Sequence, residues 1–503
     1  MSALTLGELL ERSAALHPQK EALVVGHERV CYAEVLAASK RTAAALAALN
    51  VKPRDRVGIL ATSSIDYINV LFGSILLDAI PVLLNNSWPD EYFPACFKAL
   101  GLKTLITSAG ELHDRATAIV EAEKLPIAIH PIAQLVGANS ARPVKPAANR
   151  AKSTHPAVVV FTAGTTGVPK PCCLTHETLT IKTASFVERT EFREDSRLWL
   201  GVPMYQVGFL APLISAITIG ATVIATTSAG AETDRMTLIE EAVTHAYPIY
   251  LHRWLPIAYG PGFKASDFPR LSHLCLIGPA RTLRRVQRGL PQCVVMSIYG
   301  GPEGGGGYCM PRPDDPAAIR LESCGKPFSG HELRIVSPKD GQVLARQQIG
   351  EIQARGPGIP QTCDLGGRRS SFTEDGWLRT GDIGMLNDAG DLIYFGRESE
   401  MLKIGDDVVP ASRLEALLLD YPDVAMAQIL PIPDDALGEA VWAFIEPRPG
   451  TNIAAAEIID FCRARMPENQ LPRAITFVED WPVSASKIQK ILLYDLPKDW
   501  RSA

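Results

Sequence analysis

The chain has 503 residues, of which 47% are hydrophobic and 21% are charged, and its formal net charge is −5. This length exceeds what one hydrophobic core usually organises, so at least two domains are expected. The composition is that of an ordinary globular protein, and the small negative charge excludes the basic surface typical of proteins that bind nucleic acids or anionic membranes. Ten cysteines without a Cys-x-x-Cys pair give no support for zinc binding and are expected to be free thiols in a reducing compartment.

The N-terminal segment does not show the pattern of a secretory signal peptide. Thr5 followed by Glu8 instead predicts a capping box at the start of an amphipathic helix. Two stretches with little or no charge, 68–84 and 198–231, invite a membrane-spanning interpretation. Prolines and glycines divide both, so each is expected to form buried helices and strands, and the protein is expected to be cytoplasmic.

Helical stretches alternate with short apolar strands along the first half of the chain. Strands are predicted at 56–60, 80–84, 103–107 and 222–226. This alternation predicts an α/β fold, in which helices cover sheets of parallel strands. Residues 138–156, which are rich in proline, alanine and basic residues, are predicted to form an exposed connection.

The most informative segment follows this connection and reads VVVFTAGTTGVPKPCCLTH, at 158–176. Four apolar residues predict a buried strand, and a loop of threonines and glycines with Lys170 comes next. Glycines let backbone amides turn toward an anion, while threonine hydroxyls and one lysine add donors and positive charge. The loop is therefore predicted to bind phosphate, although it lacks the Gly-Lys-Ser/Thr triplet of a Walker motif. An ordinary polar turn is the alternative.

This loop resembles the phosphate-binding motif of the adenylate-forming (ANL) superfamily, which comprises acyl-CoA synthetases, amino-acid adenylation domains and luciferases. The form of the motif in that family is aromatic-Thr-Ser-Gly-Thr-Thr-Gly-x-Pro-Lys-Gly. Four further stretches resemble family motifs in the same order: SIYGGPE at 297–303, WLRTGDIG at 377–384, GRESEMLKIGDDVVPASRLE at 396–415 and WPVSASKIQKIL at 481–492. The resemblance to an AMP-forming acyl-CoA synthetase thus spans 158–492, and the first 150 residues are also similar to the family.

The resemblance implies two domains. The large N-terminal domain, residues 1–397, would consist of layered parallel sheets and helices, and the small, mobile α+β C-terminal domain would comprise residues 398–503. Ser399 takes the place of the hinge residue between them. Four glycines at 304–307 directly follow Glu303, so a mobile active-site loop is expected there rather than a linker.

The resemblance also implies a site for Mg²⁺ and for ATP or an acyl-adenylate. Glu303 would hold Mg²⁺, and the carboxylate of Asp382 would accept hydrogen bonds from both ribose hydroxyls. Lys487 is expected to be the catalytic group that reaches the substrate carboxylate and the α-phosphate, and Lys170 would act with it from the phosphate loop. The remaining nucleotide-binding positions are Thr162, Thr165, Thr166, Gly278, Ala280, Tyr299, Gly300 and Arg397.

An acyl pocket is implied beside the nucleotide, lined by Tyr205, Gln206, Phe209, Trp254 and Gly301. Gln206 replaces a histidine of the family and is also a catalytic candidate. Aromatic rings with one amide suggest a bulky or partly polar acid. CoA is expected to pass Lys403 and Gly405. No catalytic base is identified, since His176 and His252 are equally compatible with structural roles.

The predicted function is that of an acyl-CoA ligase, which forms an acyl-adenylate from a carboxylic acid and ATP and then transfers the acyl group to CoA. The first alternative is a ligase that only thioesterifies a preformed acyl-adenylate, because the chain departs from the family at Ala163, Pro171, Gln206, Pro302, Ser399 and Ser486. The second alternative is a stand-alone amino-acid-adenylating enzyme, which the absence of a Phe-Asp pair near Tyr205 disfavours. A protein that only binds these ligands is disfavoured because Glu303, Asp382, Arg397 and Lys487 are all retained. The identity of the acid and the oligomeric state, monomer or homodimer, are left open.

Overall fold

The structure is a computed structural model that describes residues 4–136, 151–162, 169–226, 230–260, 262–359, 372–405, 407–484, 487–488 and 490–494. Within these residues the strands are, in chain order, β1 (Glu21–Val25), β2 (Glu28–Cys31), β3 (Arg56–Leu60), β4 (Ile80–Leu83), β5 (Thr104–Thr107), β6 (Ala128–Pro131), β7 (Pro156–Phe161), β8 (Pro171–Thr175), β9 (Arg197–Leu200), β10 (Thr222–Ala225), β11 (His245–Tyr250), β12 (His273–Ile277), β13 (Val294–Met296), β14 (Tyr299–Gly301), β15 (Gly306–Met310), β16 (Lys326–Pro327), β17 (Glu332–Val336), β18 (Gly350–Arg355), β19 (Leu378–Leu386), β20 (Leu392–Arg397), β21 (Met401–Ile404), β22 (Asp407–Pro410), β23 (Val424–Asp434), β24 (Gly438–Pro447), β25 (Pro472–Phe477), β26 (Val483–Ser484) and β27 (Lys487–Ile488).

The helices of the same residues alternate with the strands in the first 290 residues and become sparse afterwards. They are α1 (Leu6–Leu16), α2 (Tyr32–Ala48), α3 (Ile65–Leu76), α4 (Tyr92–Leu100), α5 (Glu111–Ala122), α6 (Ile132–Val136), α7 (His176–Ile181), α8 (Thr183–Thr190), α9 (Val207–Ile219), α10 (Ala231–Glu240), α11 (Leu251–Ala258), α12 (Ala280–Gly289), α13 (Ala317–Glu322), α14 (Ala411–Leu418), α15 (Ala455–Arg463) and α16 (Lys490–Leu493).

Two large sheets dominate the first 300 residues. The first has the strand order β13-β12-β11-β9-β10-β1-β2, and the second has the order β6-β5-β3-β4-β7-β8. Neighbouring strands are parallel except for the pairs β1 with β2 and β7 with β8, which are antiparallel. The predicted α/β fold with parallel sheets is therefore confirmed. Strand β3 has the predicted bounds, and β4, β5 and β10 are each one residue shorter than predicted.

Helices cover both faces of each large sheet. On β7, Val158 and Val160 belong to an apolar cluster that lies between the two sheets, whereas Val159 belongs to a cluster formed with α4 and α5. Successive residues of a strand face opposite sides, so a continuous apolar run is what a strand covered on both faces requires. Strand β9 divides in the same way, because Leu198 faces the inner cluster and Trp199 faces a cluster formed with α10, α11 and α12.

The predicted capping box begins α1. The Thr5 hydroxyl accepts a hydrogen bond from the backbone amide of Glu8 at 3.2 Å, and the Glu8 carboxylate accepts one from the amide of Thr5 at 2.8 Å. The uncharged stretch 198–231 contains β9, α9 and β10, and Gly220, whose φ of 74° is left-handed, caps the end of α9. Most of the α9 residues between Phe209 and Ile217 are buried in the core, as the prolines and glycines of this stretch predicted. Across the described ranges, no helix combines the length and apolarity needed to cross a membrane.

Three mainly antiparallel sheets and the short antiparallel pair β26–β27 follow the two large sheets in the described part of the chain. Strands β14–β16 form one sheet and β17–β20 form another, while the third has the order β22-β21-β24-β23 with β25 parallel beside β24. The third sheet packs with α14 and α15 around its own cluster, which includes Leu414, Ile445 and Ile458. This is the separate C-terminal domain that the resemblance predicted. The predicted boundary falls in the short segment between Arg397, the end of β20, and Met401, the start of β21.

Candidate active site

Three of the predicted site residues lie at one edge of the first large sheet. Tyr205 follows β9, Gly278 follows β12, and Tyr299 follows β13 after a short connection. Because β9, β11, β12 and β13 are mutually parallel, their carboxyl ends all lie at this edge. Open α/β sheets bind ligands in the crevice outside such strand ends. The topology therefore brings together residues that are about 100 positions apart in the sequence.

Asp382 lies at the centre of the site. It is the register partner of Arg397 in the antiparallel pair β19–β20. Nε of Arg397 lies 2.9 Å from Oδ1 of Asp382, and the hydroxyl of Tyr299 donates to Oδ2 at 2.7 Å. Arg397 also donates from Nη1 to the carbonyl oxygen of Thr380 at 2.8 Å, and the amide of Asp382 donates to the Thr380 hydroxyl at 3.1 Å. Three of the predicted nucleotide-binding residues thus meet at one carboxylate.

The negative charge of Asp382 raises the pKa values of both Tyr299 and Arg397, so both side chains keep their protons. Burial and the negative charge of Asp382 raise the pKa of Tyr299, so the phenol remains a hydrogen-bond donor. Burial alone would lower the pKa of Arg397, but the charges of Asp382, Tyr394 and Glu303 raise it. The Asp382 side chain is 8% exposed and that of Arg397 is 39% exposed. A buried carboxylate held by a guanidinium and a phenol has a fixed orientation and can present its remaining lone pairs to a ligand.

Glu303 lies in the 3₁₀ turn Pro302–Gly304, which connects β14 to β15. The two strands approach so closely that a Cβ on Gly300 would lie 2.0 Å from the carbonyl oxygen of Gly306, and only glycine fits there. A Cβ on Gly301 would lie 2.7 Å from Oε2 of Glu303. The carboxylate of Glu303 therefore folds back over the end of β14, next to the cluster around Asp382.

The glycines at 304–307 are held by Lys182, which the sequence did not reveal. Lys182 separates α7 from α8 and is 5% exposed. Its Nζ donates to the carbonyl oxygens of Gly304 and Gly307, at 2.9 Å for Gly307, and lies 4.8 Å from the centroid of the Tyr308 ring. Residues 304–307 comprise the end of a turn and the start of β15, and the ammonium group binds the first and the last of these glycines. Lysines are seldom buried, so the residues around Lys182 carried no signal of this role.

The predicted phosphate loop closes the β7–β8 hairpin. Phe161 is the register partner of Pro171, and the amide of Thr162 donates to the carbonyl oxygen of Lys170 at 3.0 Å. The strand predicted at 158–161 is confirmed as part of β7. The two ends of the loop are therefore fixed by strand pairing, and the Lys170 side chain is exposed. The other predicted residues of the loop, Ala163, Thr165 and Thr166, lie outside the described residues.

The residues predicted to line the acyl pocket do not share one surface. Tyr205 and Phe209 belong to the cluster between the two large sheets, whereas Trp254 is fully buried in the cluster on the outer face of the first sheet. The prediction for Trp254 is therefore corrected, because α11 turns this side chain toward α10 and α12. Gln206 precedes α9 and is partly exposed, and Gly301 ends β14 beside the turn of Glu303.

Two histidines near the site are neutral at neutral pH. Burial lowers the pKa of both His176 and His252 to about 4. Nδ1 of His176 accepts a hydrogen bond from the amide of Leu6 at 3.2 Å, which joins the start of α1 to α7. His252 stacks on Tyr250 with ring centroids 5.7 Å apart. The contact with Leu6 gives His176 a structural role.

The two predicted CoA-binding residues lie near the tip of the β21–β22 hairpin in the small domain. Lys403 and Gly405 are both exposed. The amide of Gly405 donates to the carbonyl oxygen of Leu437 at 2.7 Å, and the amide of Lys403 donates to the carboxylate of Glu439 at 2.6 Å. The hairpin is thus supported by the turn that precedes β24.

The predicted hinge and the predicted catalytic lysine also belong to the C-terminal part. Ser399 lies in the 3₁₀ turn Glu398–Glu400, which joins the sheet of β20 to that of β21. Lys487 begins β27 and is the register partner of Ser484. The side chains of Ser399 and Lys487 lie outside the described part of the chain, as does all of Ser486.

Two family matches cover most of the chain. Residues 10–362 match the family described as AMP-binding enzyme, and residues 413–487 match the family described as AMP-binding enzyme C-terminal domain. The first match takes up more than half of the chain. The second lies within the sheet and helices of the small domain.

Individual relatives are similar over nearly the full length. The putative acyl-CoA synthetase YngI of Bacillus subtilis is 25% identical over 535 residues, which cover 97% of this chain and 96% of the relative. A propanoyl:CoA ligase of Mycobacterium tuberculosis, whose acyl group carries a methyl-dioxo-octahydroindenyl ring system, is 28% identical over 520 residues, covering 98% of this chain and 99% of the relative. The solved structure of o-succinylbenzoate CoA synthetase from Bacillus subtilis, in complex with its acyl-adenylate intermediate, has a TM-score of 0.85 at 23% identity and 99% coverage of each chain. The structural likeness shows a common fold.

Proposed function

Because the chain belongs to the AMP-binding enzyme family and is an AMP-forming CoA ligase, we propose that it converts a carboxylic acid into its acyl-CoA thioester in two steps. The first step forms an acyl-adenylate and pyrophosphate from the acid and ATP. The second step transfers the acyl group to CoA and releases AMP. The observation that carries this proposal is the convergence of Tyr299 and Arg397 on Asp382, beside Glu303, at the carboxyl edge of the first large sheet.

In the first step, a carboxylate oxygen of the acid attacks the α-phosphorus of ATP, and the bond from that phosphorus to pyrophosphate breaks. Asp382 accepts hydrogen bonds from the ribose hydroxyls, while Tyr299 and Arg397 hold its carboxylate in place. The reacting groups are both anionic, so positive charge must offset their repulsion in the transition state. Lys170 in the phosphate loop and Lys487 in the small domain are the proposed sources of this charge.

Glu303 is the residue that would hold Mg²⁺. Within the described ranges, no group of three or more acidic, histidine or cysteine side chains surrounds a position for a metal. Mg²⁺ is usually bound by one or two carboxylates together with substrate phosphates, so a single carboxylate beside the nucleotide site fits a metal that arrives with ATP. The position of Oε2 of Glu303 over Gly301, at the edge where the site residues converge, supports this assignment. When bound, Mg²⁺ would offset the charge that develops on the phosphates as pyrophosphate leaves.

In the second step, the sulfur of CoA attacks the acyl carbon, AMP leaves with the bonding electrons, and the thiol proton passes to solvent. Thiols are partly ionised near neutral pH and are intrinsically nucleophilic, so positioning can supply much of the acceleration. We propose that the small domain rotates about residues 398–400 and presents the β21–β22 hairpin, with Lys403 and Gly405, to the pantetheine arm of CoA.

The acid is proposed to be bulky and partly polar. Tyr205 and Phe209 are buried aromatic residues at the start of α9, and Gln206, which is partly exposed, lies between them in the sequence. Burial raises the pKa of Tyr205, so its hydroxyl is also a donor. The relative from Mycobacterium tuberculosis is named for a ring-bearing acid of this general kind, which supports the choice of acids to be tested.

The deciding experiment supplies the purified protein with ATP, Mg²⁺, CoA and a panel of acids that ranges from fatty acids to benzoates, phenylpropanoids and polycyclic propanoates. Mass spectrometry of the thioester and chromatography of the nucleotides are the readouts. We expect at least one acid to give equal amounts of acyl-CoA and AMP. ADP and phosphate as products would contradict the proposal, because they show attack at the γ-phosphate.

A second candidate function is thioesterification of an acyl-adenylate made elsewhere. Pro302 is the first residue of the turn that carries Glu303 and has no hydroxyl to direct at a phosphate, which favours this candidate. The test compares acid plus ATP with synthetic acyl-adenylate, both in the presence of CoA. Comparable rates would exclude a half-enzyme. If only the adenylate reacts, Ala163→Ser combined with Pro302→Thr should raise acid-dependent pyrophosphate release and leave the second step little changed.

A further inference from the structure

Lys182 is a buried lysine without a carboxylate partner among the residues that the structure describes. Its ammonium group donates to two backbone carbonyl oxygens and lies over the ring of Tyr308. Burial lowers its pKa to about 7. Since burying an ammonium group without an ion pair costs free energy, these contacts have to compensate for the loss of water around it.

The surroundings of Lys182 are shaped closely around it. A Cβ on Gly358 would lie 2.5 Å from Cε of Lys182, and a Cβ on Gly304 would lie 3.1 Å from its Nζ and 2.1 Å from Cε1 of Tyr308. Only glycines can therefore occupy these positions without displacing the lysine or the tyrosine. The end of the side chain thus lies close to Gly358 as well as to the glycine run.

Both carbonyl oxygens belong to the run that directly follows Glu303. Glycine has more backbone freedom to lose than any other residue, so four consecutive glycines give little intrinsic rigidity to the turn before them. Lys182 joins the first glycine of the run, Gly304, to the last, Gly307. Gly304 is also the final residue of the 3₁₀ turn that carries Glu303. Holding the run therefore limits the directions in which the Glu303 carboxylate can point.

We propose that Lys182 is a positioning residue for adenylation: its ammonium group holds residues 304–307 so that Glu303 faces the Mg²⁺-bound phosphates of ATP. This inference rests on the proposed function, in which Glu303 is the metal-binding carboxylate. Lys182 itself touches neither substrate nor metal in this arrangement. It acts through two backbone carbonyl groups, one at each end of the glycine run.

The chain offers a matched control on α8, the helix that directly follows Lys182. Arg189, in α8, is 8% exposed, and its Nη1 donates to the carbonyl oxygen of Met310 at 2.8 Å. Met310 ends β15, the strand that Gly306 begins. Arg189→Met thus removes a buried cation from the far end of the same strand. Lys182→Met removes the amino group that binds Gly304 and Gly307 and leaves an unbranched side chain of similar length. Lys182→Gln keeps a neutral donor for one carbonyl oxygen.

Three measurements on the full chain distinguish positioning from general support of the fold. The first is the Mg²⁺ concentration that gives half-maximal acid-dependent pyrophosphate release at saturating ATP. The second is thioester formation from synthetic acyl-adenylate and CoA, which bypasses adenylation. The third is hydrogen exchange of the amides at 303–308, with the remaining amides as an internal reference.

Lys182→Met is expected to raise the half-saturating Mg²⁺ concentration about tenfold. It should also accelerate exchange at 303–308 and keep thioester formation within about twofold of the wild type. The Mg²⁺ dependence and the exchange rates of Lys182→Gln should lie between those of the wild type and those of Lys182→Met. If Lys182→Met does not fold, Lys182→Gln provides the test of the proposal. Arg189→Met should lower thermal stability without changing the Mg²⁺ dependence or the exchange at 303–308.

The proposal is overturned if the lysine and arginine variants change all three readouts alike, or if Lys182→Met leaves both the Mg²⁺ dependence and the exchange at 303–308 unchanged. Wild-type protein that releases no pyrophosphate with any acid would instead contradict the proposed adenylation. In that event hydrogen exchange decides alone: faster exchange at 303–308 only in the lysine variants supports the role of Lys182, and equal exchange overturns it.

Discussion

The hydroxyl of Tyr299 donates a 2.7 Å hydrogen bond to Asp382, whose other carboxylate oxygen lies 2.9 Å from Nε of Arg397. The phenol and the guanidinium belong to different sheets, so the carboxylate is held from two sides. Both contacts orient Asp382 before any ligand binds. In the proposed function, this lowers the ordering cost of binding the ribose.

Tyr299→Phe is expected to raise the KM for ATP about tenfold and to change kcat little, because a hydrogen bond to a charged group contributes about 1.5–3 kcal/mol. The measurement is pyrophosphate release at varied ATP. Tyr394→Phe is the control, since the Tyr394 ring packs on Tyr299 with centroids 5.5 Å apart. An equal effect of the two substitutions would show that loss of either hydroxyl at this ring pair, rather than the specific hydrogen bond from Tyr299 to Asp382, raises the KM.

Lys487→Ala is expected to abolish adenylation but to spare thioester formation from a supplied acyl-adenylate. The proposed role of Lys487 is to offset charge only while pyrophosphate leaves, so the second step does not need it. Pyrophosphate release and thioester formation are measured separately. Lys403→Ala provides the opposite comparison, with the larger loss in the second step. If Lys487→Ala slows both half-reactions equally, Lys487 has a structural role or the small domain does not rotate.

The interface between the small and the large domain contains several charged residues. Arg281 on α12 forms an ion pair with Asp420, which follows α14. The ring of Tyr259, at the end of α11, lies between two guanidinium groups, 4.5 Å from Cζ of Arg285 and 4.9 Å from Cζ of Arg448. These contacts join α11 and α12 of the large domain to the loops beside β23 and β24.

Asp420→Arg is expected to weaken the contact between the two domains, because it places a fourth arginine at an interface that already contains Arg281, Arg285 and Arg448. The effect should be small, on the order of 1 kcal/mol, and should fall at high salt, as for exposed ion pairs. Faster hydrogen exchange of residues 398–400 would report it. The double variant Arg281→Asp/Asp420→Arg should restore protection. Unchanged exchange in the single variant would show that the pair does not contribute to docking.

His176 is one of the buried histidines, with His245, His252 and His331, that should make stability fall on acidification. Its pKa is about 4 in the folded protein, below the value of about 6.5 in an unfolded chain. The unfolded state therefore binds the proton first, and stability that is fully present above about pH 6.5 is lost as the pH falls toward 4, by up to about 3 kcal/mol. His176→Asn, whose amide oxygen can accept from Leu6, should flatten the decline of the urea midpoint between pH 7 and 5. His27→Asn, in the exposed turn between β1 and β2, is the control and should leave the decline unchanged. If the urea midpoint of His176→Asn declines as steeply as that of the wild type, other groups cause the acid sensitivity.

Two kinds of local sequence pattern predicted the structure reliably: apolar runs that form buried strands, and the capping box that begins a helix. The strands at 56–60 and 158–161 and the capping box of Thr5 and Glu8 recur in the structure, because strand burial and helix capping depend on residues close together in the chain. Local patterns did not predict the direction of the Trp254 side chain. An aromatic residue near a site can face either side of its sheet, and the packing of α11 against α10 and α12 decides which side it is.

By itself, the sequence determined the family, the parallel α/β architecture, the separate C-terminal domain and the residue types of the candidate site, since each depends on local periodicity or on motifs of adjacent residues. Only the tertiary structure decided that Tyr299 and Arg397 share the carboxylate of Asp382, and that Lys182 holds the glycine run after Glu303. Those relationships join residues on different sheets and helices. Burial, charge and hydrogen bonding across such distances arise from packing of the whole chain, which no local pattern specifies.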